Sequence, residues 1–355
     1  MSDHEPYVLP PRRETFLAHY PRNFKMAVTI AVLALVVLPP AWIHGRLHQH
    51  AGMEALRLPS EAEMGKISGA GPKVVGTDSN APALNDQDDR TIKLVSAPDR
   101  RVTEDTPEGP LPRISEDGLM PWQVYARPFN TADRRPRIAI VITGLGLSRT
   151  VTDQAISQLP PTVTLAFDSQ GPVVAAWGGR ARQDGHETLL QVPMEPFDYP
   201  RSDPGPGTLL TSLPNGDNLQ RLLSAMRRAV GYVGITTVSG SRFTTDSNKY
   251  LPVLDAMHRR GLMVLDARTA PHGVVTDMAV STGVPVATVT QRLDSDLAPD
   301  AIMAALDDLE KTARQNGRAV GIAAPTPVMI NQLQIWAKTL PQRGIALAPI
   351  SAMVR

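Results

Sequence analysis

Two carboxylates in the second half of the chain lie where chemistry is often done, directly after short apolar runs. Glu195 lies in a Pro-Met-Glu-Pro turn after the run TLLQVP, and Asp266 ends the run LMVLD. Where such runs are parallel strands, residues at their carboxyl ends can bind a substrate, hold a metal or transfer a proton. We therefore name Glu195 and Asp266 as candidate catalytic residues. Each also has a structural alternative: Glu195 as a cap on local amides, and Asp266 as an ion-pair partner of Arg268.

Five polar residues near the same runs are candidates for lining a substrate groove: His186, Asp203, Arg242, Arg268 and Asp294. A histidine that begins a strand after a glycine turn, as His186 does, is more often a structural hydrogen-bonding residue. Asp203 lies in an Asp-Pro-Gly-Pro turn, and Asp294 could instead cap the helix that follows it. The spacing of the histidines identifies no metal site.

The composition excludes several classes of function. The 36 basic and 35 acidic residues give a net charge of +1, so the whole chain is not a general binder of nucleic acid or other polyanions. Cysteine is absent, which excludes disulfides, thiolate metal sites and a cysteine nucleophile. Because the net charge is close to zero, an acidic partner would need a local basic patch.

The N-terminal part of the chain predicts a membrane anchor. Residues 26–43 carry no charge and are long enough, as a helix, to cross the hydrocarbon core of a bilayer. Four basic residues precede this segment and only Arg46 follows it closely, so the positive-inside rule keeps residues 1–25 in the cytoplasm. We expect a single-pass protein of the inner membrane with its C-terminal domain in the periplasm. The alternative is a cleaved signal peptide, although no small-x-small cleavage site follows directly.

Residues 44–133 predict a disordered linker between the anchor and a folded domain. No aromatic residue lies between Trp42 and Trp122, and Pro, Gly, Ser and Asp are frequent. Residues 118–129 regain aromatic side chains, so this part has a second interpretation as a strap packed on the domain. Both interpretations are open at this point.

Residues 134–355 have the pattern of an α/β domain. Short apolar runs, such as residues 138–143, 162–167 and 188–193, alternate with longer segments of helical period. This alternation indicates βα units around a mainly parallel sheet. About seven or eight such runs could close a barrel or form a doubly wound sheet, and the pattern alone does not choose between them.

The first of these runs leads into Gly144 and Gly146, which resemble the start of a dinucleotide-binding glycine loop. Arg149 stands where that fingerprint has its third glycine. No acidic residue follows at the expected distance, since Asp168 comes too late. We therefore interpret the two glycines as a tight strand-to-helix turn.

Several motifs follow one another over nearly all of residues 137–355. They are Gly-His-Glu, Pro-Met-Glu-Pro, Asp-Pro-Gly-Pro, Gly-Ser-Arg-Phe-Thr and a closing Gly-Ile-Ala-Leu-Ala-Pro-Ile-Ser. This order resembles the divergent polysaccharide deacetylases, relatives of the NodB-type carbohydrate esterases. The resemblance implies a deformed (β/α) barrel of about seven strands, a groove for a glycan, and a divalent metal such as zinc held by Asp and His. Such a metal polarises an N-acetyl carbonyl and acidifies a bound water, while a carboxylate takes the proton.

The chain departs from the family pattern at the positions expected to hold the metal. Thr143 and Gly144 stand where catalytic relatives end the first strand with two Asp residues, so the expected base and one ligand are missing. At four positions where relatives often have His, this chain has other residues: Gln191, Glu195, Val238 and Ala324. Val and Ala cannot bind a metal, and Gln is a poor ligand. We name no metal ligand, and zinc is expected from the resemblance alone.

Three functions compete on these observations. The losses favour a non-catalytic domain that binds or scaffolds a cell-envelope glycan. The second is an active metal-dependent N-deacetylase or hydrolase rebuilt around Glu195, His186 and Asp266, which requires those side chains to converge. The third is an envelope scaffold that recruits proteins through its tether or anchor. The expected partners are an envelope glycan and the inner membrane, not nucleic acid, and the sequence identifies no protein partner.

Overall fold

The computed structural model describes residue 90 and residues 92–271 and 273–354. The predicted cytoplasmic tail at 1–25, the predicted anchor at 26–43 and the first half of the predicted linker lie outside the described residues. In the part of the chain that is described, no helix is both long and apolar enough to cross a bilayer.

Residues 92–133, the described part of the predicted linker, are folded. Their elements are a hairpin of β1 (Thr103–Thr106) and β2 (Gly109–Pro112) and a one-turn helix, α1 (Pro121–Val124). Val102 and Tyr125 are buried in a core that they share with the main sheet. For these residues the structure corrects the prediction of a disordered linker. Their apolar side chains are too widely spaced to show a period, yet they pack against elements that are distant in sequence.

The main sheet is built from short apolar strands. They are β3 (Arg137–Leu145), β4 (Thr164–Asp168), β5 (Thr188–Met194), β6 (Gly234–Ser239), β7 (Met263–Asp266), β8 (Val286–Thr288), β9 (Gln291–Arg292), β10 (Arg318–Ala323) and β11 (Ala346–Leu347). Their order is β8-β7-β6-β5-β4-β3-β10-β9, with β11 also pairing with β3. Each recorded pairing in this sheet is parallel, as expected for continuous apolar runs buried on both faces.

Helices connect most of the strands and pack on one face of the sheet. They are α2 (Arg149–Gln158), α3 (Val174–Gln183), α4 (Asn215–Met226), α5 (Ser247–Arg259), α6 (Val275–Thr282), α7 (Pro299–Asn316) and α8 (Pro327–Ala337). Two 3-10 turns, Phe243–Thr245 and Ile350–Met353, complete the described elements. Side-chain caps fix two helix starts: Asp246 accepts from the N–H groups of the first turn of α5, and Thr326 does so for α8.

The sheet is curled so that one stretch of chain joins its two edges. β8 pairs with β7 and β9 pairs with β10, and only Val289 and Thr290 separate β8 from β9. The N–H groups of these two residues donate to the carbonyls of Asp266 and Val320, at 2.9 and 2.8 Å. The predicted α/β class and parallel sheet are therefore confirmed. The curl is consistent with a deformed barrel and not with an open doubly wound sheet.

Alternate positions along the strands fill two separate cores. On β3, Ile138 and Ile140 pack in the larger core against the helices, whereas Ala139 and Val141 face the inside of the curl. Burying a large aliphatic side chain contributes roughly 1.5–3 kcal/mol, so the helix-facing side carries much of the stability. The C-terminal turn Ile350–Met353 packs into the inner core, where small side chains leave it room.

Glu187 ties the N-terminal strap and the C-terminal turn to the sheet. The backbone N–H groups of Arg127 and Ser351 donate to its carboxyl at 2.8 and 3.0 Å, and the Ser351 hydroxyl also donates to it. Arg182 donates to the Tyr125 carbonyl at 2.9 Å. Burial raises the pKa of Glu187, against these hydrogen bonds, and burial lowers the pKa of Arg182 to about 10. The segment before β3 is thus held by buried polar contacts.

Candidate functional site

The carboxyl ends of β3, β4 and β5 lie side by side and form the part of the structure best suited to a site, which we call the rim. Thr143, Asp168 and Gln191 are its inner residues, because they continue the alternation of Val141 and other inner-core residues along their strands. Asp168 is the register partner of Gln191. Loops at this end of parallel strands are the usual place for binding and catalysis.

Neutral hydrogen bonds occupy the rim where the family pattern predicts two acids. The buried amide oxygen of Gln191 accepts a hydrogen bond from the Gly144 N–H, and the Thr143 hydroxyl donates to the Ala323 carbonyl at 3.3 Å. Gly144 has φ +74°, a conformation that glycine adopts without strain. The tight turn predicted for the two glycines is therefore held across to β5 by a side chain.

Asp168 is an ionisable residue of the rim that is not among the candidate site residues named from sequence. It ends β4, is 7% exposed, and accepts a hydrogen bond at 2.8 Å from the Gln170 N–H. In the described part of the chain no cation pairs with it, and burial raises the pKa of its carboxyl while the Gln170 bond lowers it. The signal was present in the run TLAFD, whose alternation points Asp168 inward. Such a carboxyl can exchange a proton near the rim.

Glu195 lies at the mouth of the rim but is engaged in structural contacts. The Thr211 hydroxyl donates to its carboxylate at 2.7 Å, and the Thr211 N–H donates to the same oxygen. Its other oxygen pairs with the half-exposed guanidinium of Arg242 at 3.4 Å. The Glu195 carbonyl also accepts from the N–H groups of Arg242 and Phe243, at 3.0 and 3.1 Å. Glu195 and Arg242 are thus brought together, and Glu195 fastens two loops.

Asp266 lies on the helix-facing side of β7, with Val264, and not inside the curl. The Arg268 N–H donates to one of its oxygens at 2.9 Å and the Thr276 hydroxyl to the other at 2.6 Å. Among the described contacts no ion pair joins Asp266 to the exposed Arg268 side chain. Arg268 itself has φ +48°, an uncommon conformation for a residue with a side chain. The contacts of Asp266 are those of a structural carboxylate.

Three groove candidates have local structural roles. His186 precedes β5 and is fully buried, with its ring nitrogens 2.9 and 3.0 Å from two backbone carbonyl oxygens, so it does not face a groove at the rim. Asp203 accepts a hydrogen bond at 2.9 Å from the Gly205 N–H within its turn. Asp294 pairs with Arg292 at 3.1 Å and accepts from the Ala324 N–H at 2.7 Å. Asp294 therefore caps the end of a strand, not a helix.

The residues at the rim do not fit a family-type metal centre. Among the described residues no group of three or more His, Cys, Asp or Glu side chains is placed to hold a metal. The positions at which relatives are expected to carry ligands or the base hold Thr143, Gly144, Gln191, Val238 and Ala324, together with Glu195, whose carboxylate is already bonded to Thr211 and Arg242. All but Glu195 are apolar or weakly ligating, and Asp168 adds a single carboxyl. No chemical step through a metal follows from this arrangement.

Two cavities lie near the carboxyl ends of the central strands. One, of about 440 Å³, lies between the loops after β3 and β4 and is lined by Leu147, Val173 and Trp177 among others. Leu147 and Val173 are largely exposed apolar side chains, and Val173 has the strained φ of +51°. The other, of about 520 Å³, lies between the loop after β4 and helix α4, and Ser169 and Arg228 help to line it. Both have the size of small-molecule sites.

Comparison with known proteins agrees with this architecture. The sequence profile of the divergent polysaccharide deacetylase family matches residues 140–354. The uncharacterized protein YibQ of Escherichia coli K12 is 27% identical over 219 residues, which are 61% of this chain and 67% of YibQ. An uncharacterized protein of Haemophilus influenzae Rd is 25% identical over 207 residues, 58% of this chain and 72% of that protein.

A solved structure extends the match to three dimensions. The crystal structure of an uncharacterized protein from Agrobacterium tumefaciens C58 is similar with a TM-score of 0.68 and 39% sequence identity. The similarity covers 69% of this chain and 100% of that protein. The family profile spans more than half of this chain and includes every strand of the main sheet except the first three residues of β3. The chain belongs to the divergent polysaccharide deacetylase family.

Proposed function

We propose that this chain is a membrane-anchored, periplasm-facing protein that binds a cell-envelope glycan at the rim and does not deacetylate it by metal catalysis. Family membership supports a carbohydrate-related role. One observation carries the rest: at the strand ends, Thr143, Gln191, Val238 and Ala324 are neutral where a metal and its base are expected, and Glu195 is bonded to Thr211 and Arg242. The curled sheet supports a deformed barrel of about seven strands that keeps its groove after losing this chemistry.

The chemistry of amide hydrolysis supports this choice. Attack on an N-acetyl carbonyl requires an activated water and a group that stabilises the developing oxyanion. The Gly144 N–H donates to Gln191, so this donor is engaged within the protein. The Thr143 hydroxyl is bonded to a backbone carbonyl and has no neighbouring base among its recorded contacts. The groups at this position therefore hold the strand ends together.

A hydrolase rebuilt around Glu195, His186 and Asp266 is not supported by their positions. His186 and Glu195 flank β5, and nine residues of extended chain at ~3.3 Å each separate them by about 30 Å. Asp266 faces the helices. Because three catalytic side chains must meet within hydrogen-bonding reach, these residues do not make a common centre.

The cavity beside Trp177 supports glycan binding at this end of the sheet. Sugar rings present apolar C–H faces, and a half-buried indole among Leu147 and Val173 offers a matching surface. The Arg180 guanidinium lies 5.9 Å from the Trp177 ring centroid and adds a donor for hydroxyl groups.

Binding and acetate release can be measured together. Full-length protein in detergent is incubated with N-acetylated chitooligosaccharides and with peptidoglycan fragments, with and without zinc. We expect retention of at least one glycan without zinc and no acetate release. Trp177→Ala should weaken retention about 10-fold or more by loss of a stacking contact. Ile335→Ala removes an exposed apolar side chain from α8 and serves as the control. Zinc-dependent acetate release would overturn the proposal. Failure to retain any glycan would also overturn it, and would favour the alternative of an envelope scaffold that recruits proteins.

The orientation is tested separately in cells. Residues 26–43 support the anchor because they are uncharged and because most nearby basic residues precede them. Protease added to spheroplasts should cut residues 134–355 while sparing the N-terminal tail. Protection of this domain until the inner membrane is lysed would contradict a periplasmic orientation.

A further inference from the structure

The cavity of about 520 Å³ beside the rim is walled by arginines that lack acidic partners. Arg221 on α4 and Arg228 just after it are seven residues apart, so they lie near the same side of the helix axis and both line this cavity. In the described part of the chain neither guanidinium forms an ion pair. The other lining residues include no Asp or Glu. Two positive charges are therefore concentrated in one concave site.

Both guanidinium groups are held in place by the backbone of neighbouring loops. One nitrogen of Arg221 donates to the Thr208 carbonyl, and one nitrogen of Arg228 donates to the Gly171 carbonyl at 3.0 Å. The Gln170 side chain donates to the Pro206 carbonyl and joins the loops on the two sides of the cavity. Each arginine keeps further N–H groups for a ligand, since a guanidinium has five. Such pre-orientation lowers the entropy lost when an oxyanion binds.

The surroundings extend this site into a trough. A second cavity of about 560 Å³ shares Ser224 and Arg228 with the first and reaches the β-hairpin at Glu108. Arg227 pairs with Glu108 at 3.1 Å, so this acidic side chain is already neutralised. At the other end, Ser169 and Pro193 place the first cavity next to Asp168 and the end of β5. A polymer bound at the rim could therefore continue past both arginines.

We propose that Arg221 and Arg228 form an oxyanion-binding subsite that takes a carboxylate or phosphate substituent of the bound glycan, an inference that rests on the proposed glycan-binding function. Guanidinium groups match the planar, two-oxygen geometry of a carboxylate and bind phosphate equally well. The subsite selects acidic sugars, because a neutral sugar would leave both cations without a counter-charge.

Matched probes separate the charge from the sugar. Calorimetric titration of the full-length protein in detergent uses an oligogalacturonate, its methyl-esterified form, a phosphorylated oligomannoside and inorganic phosphate. We expect at least one charged oligosaccharide to bind about 10-fold or more tightly than the ester, the effect of a charge-assisted hydrogen-bonding pair. The double variant Arg221→Gln/Arg228→Gln should remove this preference, so that the charged probe and its ester bind with equal affinity. Whether the uronate or the phosphate probe is preferred identifies the substituent.

Arg314 provides the control, because its exposed guanidinium also donates to one carbonyl, that of Arg343 at 2.7 Å, without a recorded acidic partner. Arg314→Gln should bind every probe as the native chain does. Equal binding of charged and esterified probes by the native chain would overturn the oxyanion subsite and leave glycan binding intact. The same conclusion would follow if Arg314→Gln lost the preference for charged probes as fully as the double variant does. A third outcome is that the native chain binds inorganic phosphate but no glycan, and that only the double variant loses this phosphate binding. That outcome would support an oxyanion site and overturn the glycan-binding function.

Discussion

The side chain of Gln191 on β5 reaches past β4 and accepts a hydrogen bond from the backbone N–H of Gly144 on β3. This contact joins the two positions at which a catalytic relative would be expected to carry a His and an Asp. The amide thus replaces a possible metal contact by a bond between strands. It ties the end of β3 to β5 across the rim.

Gln191→Ala should reduce the free energy of unfolding by about 0.5–1.5 kcal/mol, because the half-buried Gly144 N–H loses its hydrogen-bond partner. Urea unfolding of the native chain and the variant measures the difference. Gln158→Ala removes an amide at the exposed end of α2 and should change stability little. Equal stabilities of Gln191→Ala and the native chain would show that the contact does not hold the rim together.

The raised pKa of Asp168 predicts that its contribution to stability is lost as pH rises. Because burial raises the pKa of this carboxyl above its usual 3.8, the folded state holds a proton that the unfolded state releases. Its contribution is therefore most favourable at low pH and is lost as pH rises from about 3.8 through the folded pKa. Asp168→Asn cannot ionise, so its stability relative to the native chain should increase with pH over this window.

The Asp168 effect is measured by urea unfolding at several pH values, with the carboxyl titration followed by carbon NMR. Asp105→Asn, at an exposed position of β1, is the matched control and should show no such trend. A carboxyl that titrates at or below 3.8, with parallel stability curves for Asp168→Asn and the native chain, would contradict the burial argument.

Glu187→Ala should destabilise the protein by about 3–5 kcal/mol. The substitution leaves the buried Arg182 cation without its negative neighbour and leaves the N–H groups of Arg127 and Ser351 without this acceptor. Urea unfolding gives the magnitude, and hydrogen exchange should show faster opening of residues 92–129. Glu116→Ala, at an exposed position, is the control. A loss under 1 kcal/mol with unchanged exchange would mean that Glu187 does not anchor the strap.

The strands could be predicted from sequence because parallel strands buried on both faces are continuous apolar runs. Residues 138–143, 162–167 and 188–193 all fall on observed strands, β3, β4 and β5. The packing of residues 92–133 could not be predicted in the same way, since Val102 and Tyr125 are isolated apolar residues whose burial depends on distant strands. Periodicity reports local structure, whereas these contacts are set by the closed sheet.

The site was harder to predict because a strand has two ends and two faces. Asp266 was placed at the correct end of β7, but its register turns it toward the helices. His186 belongs to the opposite end of β5 from Glu195. Asp168 could have been found by extending the alternation of Ala166, which faces the inner core, by two residues. The oxyanion subsite needed the structure, because Arg228 meets the loop after β4 only in the folded chain.

His186 predicts a loss of stability on the acid side of neutrality. Complete burial lowers the pKa of the imidazole. The carbonyl oxygens of Val163 and Ile156, which lie near the two ring nitrogens, act in the opposite direction but are outweighed. The folded state therefore holds the neutral ring at pH values where the unfolded chain is protonated. As pH falls below about 6.5, stability is lost by up to about 1.4 kcal/mol per pH unit.

His186→Gln cannot take up this proton, so it should be less stable at pH 7.5 but lose less stability on acidification to pH 5, as measured by urea unfolding. His258→Gln, at an exposed position of α5, should follow the native slope. Since the other titratable groups contribute equally to all three proteins, parallel slopes for His186→Gln and the native chain would show that the imidazole takes up its proton at the same pH in the folded and unfolded states, which contradicts the burial argument.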